Sequence, residues 1–257
     1  MANGIDVEDE DETARWRYPR LVAHRCGGKL APENTLAGFD ACVRHGYRMV
    51  EFDAKLSADN QPFLLHDDTL DRTTSGRGAA AQHTWAQLSA LDAGSWFDHR
   101  FAGARLPTLA DAAARCERDT LAANIEIKPC KGRDALTGEL VATAALSLWR
   151  SHTPLLSSFS YEALAAARKA APSLPRGMLF DAVPRDWQRI VHELECVSLH
   201  ADHKHLTEPL VAEVRAAGLR VLAYTVNDVV RARELAQWGV DMICTDRLDL
   251  ISEAALR

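Results

Sequence analysis

From residue 21 onward, short β-rich runs alternate with longer runs in which apolar residues recur at helical spacing. The candidate strands are residues 21–26, 48–56, 123–128, 155–159, 176–180, 196–200, 220–226 and 242–245. Between them, Ala-, Leu- and Arg-rich segments such as 161–171, 208–217 and 229–238 read as helices. Gly218 and Gly239 follow two of these segments, where a C-terminal glycine belongs. Eight strands in alternating order predict a parallel sheet, and eight is the number that closes a barrel. The expected fold is therefore α/β, a (β/α)8 TIM barrel, with a doubly wound open sheet as the structural alternative. One stretch breaks the rhythm. Residues 58–107 hold a turn, the apolar run Pro62-Phe63-Leu64-Leu65 and a polar, Gly-containing segment. That is far longer than the roughly 2–6 residues of an ordinary βα loop. It reads as an insertion after the second strand that covers the barrel mouth, with Trp85, Trp96 and Phe97 as packing residues.

Alternation along the second strand, Met49-Val50-Glu51-Phe52-Asp53-Ala54, puts Glu51 and Asp53 on one face and Val50 and Phe52 on the other. The apolar pair must face the helices, so the two acids point into the barrel. The third strand repeats the arrangement, with Ile125 and Ile127 outward and Glu126 and Lys128 inward. Three carboxylates aimed at one interior are costly unless compensated. A hard divalent cation, Mg²⁺ or Ca²⁺, is the compensation that an all-oxygen donor set suits. The competing reading is an internal salt-bridge cluster in which Lys128 is the only base. His24 ends the first strand, and His66 closes the apolar run just before Asp67 and Asp68. Both stand at strand C-termini, where barrel active sites form, and a pair of imidazoles serves as general base and general acid near neutrality. His200 and His203, near the end of the sixth strand, are held in reserve.

Charge changes the picture at one end only. The chain has 30 Lys and Arg against 36 Asp and Glu, and six of those acids (Asp6, Glu8, Asp9, Glu10, Asp11, Glu12) fall in the first twelve residues. The acidity belongs to a tail, residues 1–18, expected to be flexible; without those six acids the chain has 30 acids and 30 bases, and the single domain is 19–257. A neutral body makes no electrostatic case for nucleic-acid binding. No run approaches the roughly 18 apolar residues of a membrane span, and the start lacks the basic-then-apolar pattern of a secretory signal. The expected setting is cytoplasmic. The six cysteines lie far apart without a C-x-x-C pair, which predicts free thiols packed as small apolar residues.

The run His24-Arg25-Cys26-Gly27-Gly28-Lys29-Leu30-Ala31-Pro32-Glu33-Asn34-Thr35 resembles the opening motif of the glycerophosphodiester phosphodiesterase family. So do Glu51-Phe52-Asp53, Leu65-His66-Asp67 and Arg72-Thr73-Thr74-Ser75-Gly76-Arg77-Gly78. Further matches are Leu106-Pro107-Thr108-Leu109, Ile125-Glu126-Ile127-Lys128-Pro129 and Thr225-Val226-Asn227. The resemblance spans about residues 20–250. It implies a TIM barrel that hydrolyses a small-molecule glycerophosphodiester to an alcohol and sn-glycerol 3-phosphate. In that implied site His24 and His66 are the acid–base pair. Glu51, Asp53 and Glu126 hold one divalent cation, Arg25 and Lys128 contact the phosphate, and Glu33 supports them from behind. Asn34 or Thr35 is read as a helix cap. Cys26 stands where the family usually has Gly, and Tyr224 where it often has Trp, so both bear on pocket shape. The rival readings are a related barrel acting on phospholipids or lysophospholipids, and a non-catalytic barrel that only binds glycerophosphodiesters.

Overall fold

A computed structural model describes residues 16–256. Nine strands form one sheet: β1 (Leu21–Ala23), β2 (Met49–Leu56), β3 (Pro62–Leu64), β4 (Ala122–Ile127), β5 (Leu155–Ser158), β6 (Arg176–Phe180), β7 (Ser198–Asp202), β8 (Arg220–Tyr224) and β9 (Met242–Thr245). Eight of them are parallel neighbours, and β1 pairs with both β2 and β9, which closes the barrel. The TIM barrel predicted from the strand count is therefore the fold, and the open sheet is excluded. The ninth strand, β3, runs antiparallel to the end of β2, with Ala54 opposite Leu64 and Leu56 opposite Pro62.

The alternation on β2 has the consequence expected of it. Val50 and Phe52 lie in the layer between barrel and helices, where the Phe52 ring meets Phe39 of α1 (Leu36–Arg44) at 5.9 Å between centroids. Met49, on the face of the acids, joins Val22, Ala122, Leu155, Leu222, Met242 and Cys244 in a plug at the barrel floor. Apolar side chains thus fill the lower interior, and the polar ones are left at the mouth. Burying a ring such as Phe52 contributes about 1.5–3 kcal/mol.

The outer helices are α3 (Leu109–Asp119), α4 (Asp134–Leu148), α5 (Tyr161–Ala170), α6 (Trp187–Glu193), α7 (Glu208–Ala216) and α8 (Val229–Gln237), in addition to α1. Gly218 and Gly239, with φ of 79° and 89°, take the left-handed conformation that ends α7 and α8. The predicted first strand is shortened from 21–26 because Arg25 and Cys26 turn left-handed, with φ of 47° and 71°.

The insertion has a small core of its own. Phe63, Leu65, Leu70, Ala80, Leu88, Ala93 and Leu106 pack together, with Trp85 of the short α2 (Trp85–Leu88) against Phe63. Trp96 and Phe97 do not join it. They form an edge-to-face row with Phe101, and Trp96 is 38% exposed. At the opposite pole Trp16 and Tyr18 lie against the barrel floor, and the Tyr18 hydroxyl donates to the Thr153 carbonyl at 2.9 Å. The end of the expected tail is therefore structured from Trp16 onward, while residues 1–15 lie outside the described residues. All six cysteines are free and buried, as their spacing suggested. No described helix is long and apolar enough to cross a membrane.

Candidate active site

Glu51 and Asp53 of β2 and Glu126 of β4 converge at the C-terminal mouth of the barrel, because Asp53 stands beside Glu126 in the parallel register. One oxygen from each lies within 4.8 Å of the others, and all three residues are buried. The three are not equally compensated. Asp53 receives the Asn34 side-chain amide at 2.8 Å, with Arg25 Nε and Lys128 Nζ each 3.7 Å away. Burial pushes its carboxyl up, but Arg25, Lys128 and His66 outweigh burial and hold it below the usual range. Glu126 accepts a 2.7 Å bond from Lys128, yet burial and the nearby Asp53 leave its carboxyl raised. Among the described residues Glu51 accepts only the Arg25 backbone N–H at 2.9 Å, with His24 Nε2 4.0 Å away. Burial and Asp53 push it up to about 8. Fully ionised, the trio would hold one more negative charge than Arg25 and Lys128 neutralise, and the proton kept on Glu51 relieves it. Beneath it the buried Asn124 Oδ1 has no hydrogen-bond partner among the described residues. An all-oxygen, charge-deficient cradle of this kind fits a hard divalent cation. A cluster balanced by Lys128 alone does not describe it, because Arg25 also takes part and Glu51 is still left over.

The two histidines stand at the same mouth. Each has Nδ1 on a carboxylate: His24 on Asp246 at 2.6 Å and His66 on Asp67 at 2.7 Å. A ring nitrogen held by a carboxylate carries the hydrogen, which leaves Nε2 available for proton transfer. Burial depresses His24, but the Asp246 hydrogen bond and Glu51 more than reverse it, and its pKa is raised. His66 is lowered, first by burial. Asp246 is in turn gripped by Asn227, whose amide donates to it at 2.9 Å and whose carbonyl oxygen accepts the Asp246 N–H. Glu33 receives Arg25 at 2.9 Å and Arg72 of the insertion at 2.7 Å.

Tyr224 reaches the mouth with its ring edge-on to Phe159, and its hydroxyl is engaged by the Phe180 carbonyl at 2.8 Å. Thr35 is the N-cap residue of α1, as read, but neither it nor Asn34 caps through its side chain. Asn34, at φ 54°, brackets Asp53 with two hydrogen bonds, and the Thr35 hydroxyl donates to Pro32 O. His200 is fully buried in the barrel against Ser198, and burial pushes it down to about 3, so it is no reserve catalyst. Cys26 is likewise buried, and burial raises its thiol, so it is not a reactive thiolate beside His24.

Residues 24–250 match the model of the glycerophosphoryl diester phosphodiesterase family. The chain belongs to that family. A glycerophosphodiester phosphodiesterase of Caldanaerobacter subterraneus subsp. tengcongensis is 31% identical, over 88% of this chain and 93% of its own. The structure of an Oleispira antarctica phosphodiesterase in complex with the product sn-glycerol-3-phosphate is similar with a TM-score of 0.89 at 35% identity, covering 93% of this chain and 97% of that one. A glycerophosphodiester phosphodiesterase from Agrobacterium tumefaciens is similar with a TM-score of 0.75 at 31% identity, covering 90% and 97% of the two chains. As a family member the chain is a phosphoric diester hydrolase.

Four residues that the structure brings to this cluster were given no role by the sequence reading. Lys55 is fully buried, with its ammonium on Asp68 at 2.9 Å and on Lys128 O at 3.1 Å. The alternation that singled out Glu51 and Asp53 already placed Lys55 on their face. Asp246 directly follows the last strand, a position that by itself marks an active-site candidate in a barrel. Arg72 and Asp67 join Glu33 across the mouth, and no local pattern announces that pairing.

Proposed function

We propose that this chain hydrolyses glycerophosphodiesters to an alcohol and sn-glycerol 3-phosphate, by general acid–base catalysis with His24 and His66 beside one divalent cation. The observation that carries the reading is Glu51: a buried carboxylate in a trio that pairs with no Lys or Arg side chain among the described residues and has only His24 Nε2, 4.0 Å away, as a base. The product named for the similar Oleispira antarctica structure supports the substrate class. Glu51, Asp53 and Glu126 are the residues that would hold Mg²⁺ or Ca²⁺. When bound, the cation polarises the phosphoryl oxygens and offsets charge that develops on them.

Arg25 and Lys128 bind the phosphate through charge-assisted hydrogen bonds. Both already face Asp53, and each keeps its proton: burial lowers them, and the carboxylates more than restore them. The Nε2 of one histidine removes a proton from the attacking oxygen, and the Nε2 of the other donates a proton to the departing alkoxide as its P–O bond breaks. The attacking oxygen is either water or the glycerol 2-hydroxyl, which gives a cyclic phosphate that water then opens. Asp246 and Asp67 hold each ring in the tautomer that leaves Nε2 usable. Tyr224 offers the substrate its ring, since its hydroxyl is engaged. A test is release of sn-glycerol 3-phosphate from a panel of glycerophosphodiesters, with and without EDTA. Hydrolysis that EDTA abolishes is expected. Full activity after exhaustive chelation removes the cation from the reading, and hydrolysis of none of the panel removes the reading itself.

A further inference from the structure

An ion-paired chain runs across the mouth from one loop to another. Arg25 donates to Glu33 at 2.9 Å in the β1–α1 loop. Arg72, in the insertion, donates to both oxygens of Glu33 at 2.7 and 2.8 Å and to both oxygens of Asp67 at 2.7 and 2.9 Å. Asp67 in turn holds His66 Nδ1. One guanidinium therefore makes four short bonds to two carboxylates, each of which engages a residue of the site. Apart from Asp67, His66 has no hydrogen-bonding partner among the described residues. The orientation of its ring, whose charge Asp53 feels, is thus set by Asp67, and the position of Asp67 by Arg72.

We infer that Arg72 is a positioning residue for His66, acting through Asp67 and braced on Glu33 of the opposite loop. Without Arg72 the Asp67 carboxylate loses both donors that fix its plane, and the imidazole it holds is free to rotate about χ1 and χ2. Lys cannot substitute. A single ammonium has no fork with which to grip two carboxylates bidentately. The pairs are partly exposed, and the Arg72 side chain is 44% exposed, so they add little to global stability. Their effect falls on geometry, where a displacement of about 1 Å costs roughly 10²-fold in rate.

The inference rests on the reading of His66 as a proton-transfer group, and its test has one arm that depends on turnover and one that does not. In the first arm, Arg72→Met, Arg72→Lys, Asp67→Asn and the double variant Arg72→Met/Asp67→Asn are assayed on a glycerophosphodiester hydrolysed by the wild type. The expected result is a fall in kcat of about 10–100-fold for Arg72→Met. Arg72→Lys should give little recovery, KM should shift much less, and the double variant should be no worse than the poorer single one. Wild-type kcat in Arg72→Lys, a raised KM with normal kcat, or a double variant whose loss is the product of the two single losses would overturn it. The second arm reads the His66 ring nitrogens by ¹⁵N NMR, identified by their loss in His66→Gln. Wild type should show one tautomer with Nδ1 protonated, and Arg72→Met a mixture. Unchanged His66 signals in Arg72→Met overturn the inference even if no diester is ever hydrolysed. An inactive wild type with the expected NMR change instead overturns the functional reading and leaves the positioning role standing.

Discussion

Glu51 and Asp53 are two residues apart on one strand, both buried, and shifted in opposite directions, because Arg25 and Lys128 each come within 3.7 Å of Asp53 and form no such ion pair with Glu51. That asymmetry has a pH signature. Without a cation the native state keeps a proton on Glu51 up to about 8, whereas the unfolded chain releases it near 4.5. The stability from this group is fully present below pH 4.5 and lost as the pH rises through 8, with a slope of at most about 1.4 kcal/mol per pH unit. Urea midpoints measured in EDTA should fall across that window in wild type and more gently in Glu51→Gln; equal slopes would contradict the assignment. Adding Mg²⁺ at pH 8 should raise the wild-type melting temperature. At about 100 times Kd the gain is roughly 2.7 kcal/mol, and Glu126→Gln should show little of it. A third test is Asp246→Asn. An amide cannot hold the same His24 tautomer, so kcat should fall on the order of 10²-fold or more with KM nearly kept. Normal turnover in that variant would leave Asp246 a structural neighbour only.

At the scale of the elements, the barrel strands were legible because each carries its fold in a local pattern: apolar residues outward at every second position and a glycine after the helix. The residues that meet at the mouth were legible to the same depth. Glu51, Asp53, Glu126 and Lys128 follow from alternation, and His24 and His66 from where strands end. What stayed hidden depends on distance along the chain. β3 was expected only as an apolar run, since pairing with the end of β2 is a tertiary fact. Asn34 looked like a cap because nothing nearby reveals that it faces Asp53, 19 residues on. Trp96 and Phe97 do pack, but against each other and Phe101 and not in the insertion's core, because aromatic identity alone does not say which neighbours a ring will meet. The insertion stands on its own small core, so Phe63→Ala should cost about 3–5 kcal/mol in denaturant titrations. It should also lower turnover, since His66 follows Phe63 by three residues; stability lost with turnover intact would show that the site tolerates a loosened insertion.

For the molecule as a whole, chemistry and packing occupy opposite ends of one barrel, with the oxygen cluster at the mouth and the apolar plug at the floor. Trp16 and Tyr18 extend the plug, and the Arg220 guanidinium lies 5.9 Å from the Trp16 ring centroid. A chain lacking residues 1–18 is expected to melt a few degrees below one lacking only 1–15, in keeping with the loss of about 1–2 kcal/mol of aromatic packing. Equal melting temperatures would mean that those side chains rest on the floor without stabilising it. The partnership of His24 with Asp246 spans 222 residues, across the seam where β1 meets β9. A nascent chain cannot assemble that pair until β9 has emerged, so under the proposed mechanism activity has to wait for that strand. The same seam makes the protein a good subject for circular permutation. Joining the ends by a linker and opening the chain in the exposed turn at 151–152 would turn the most distant partners into near neighbours, and activity should then return earlier during refolding than it does in the natural order.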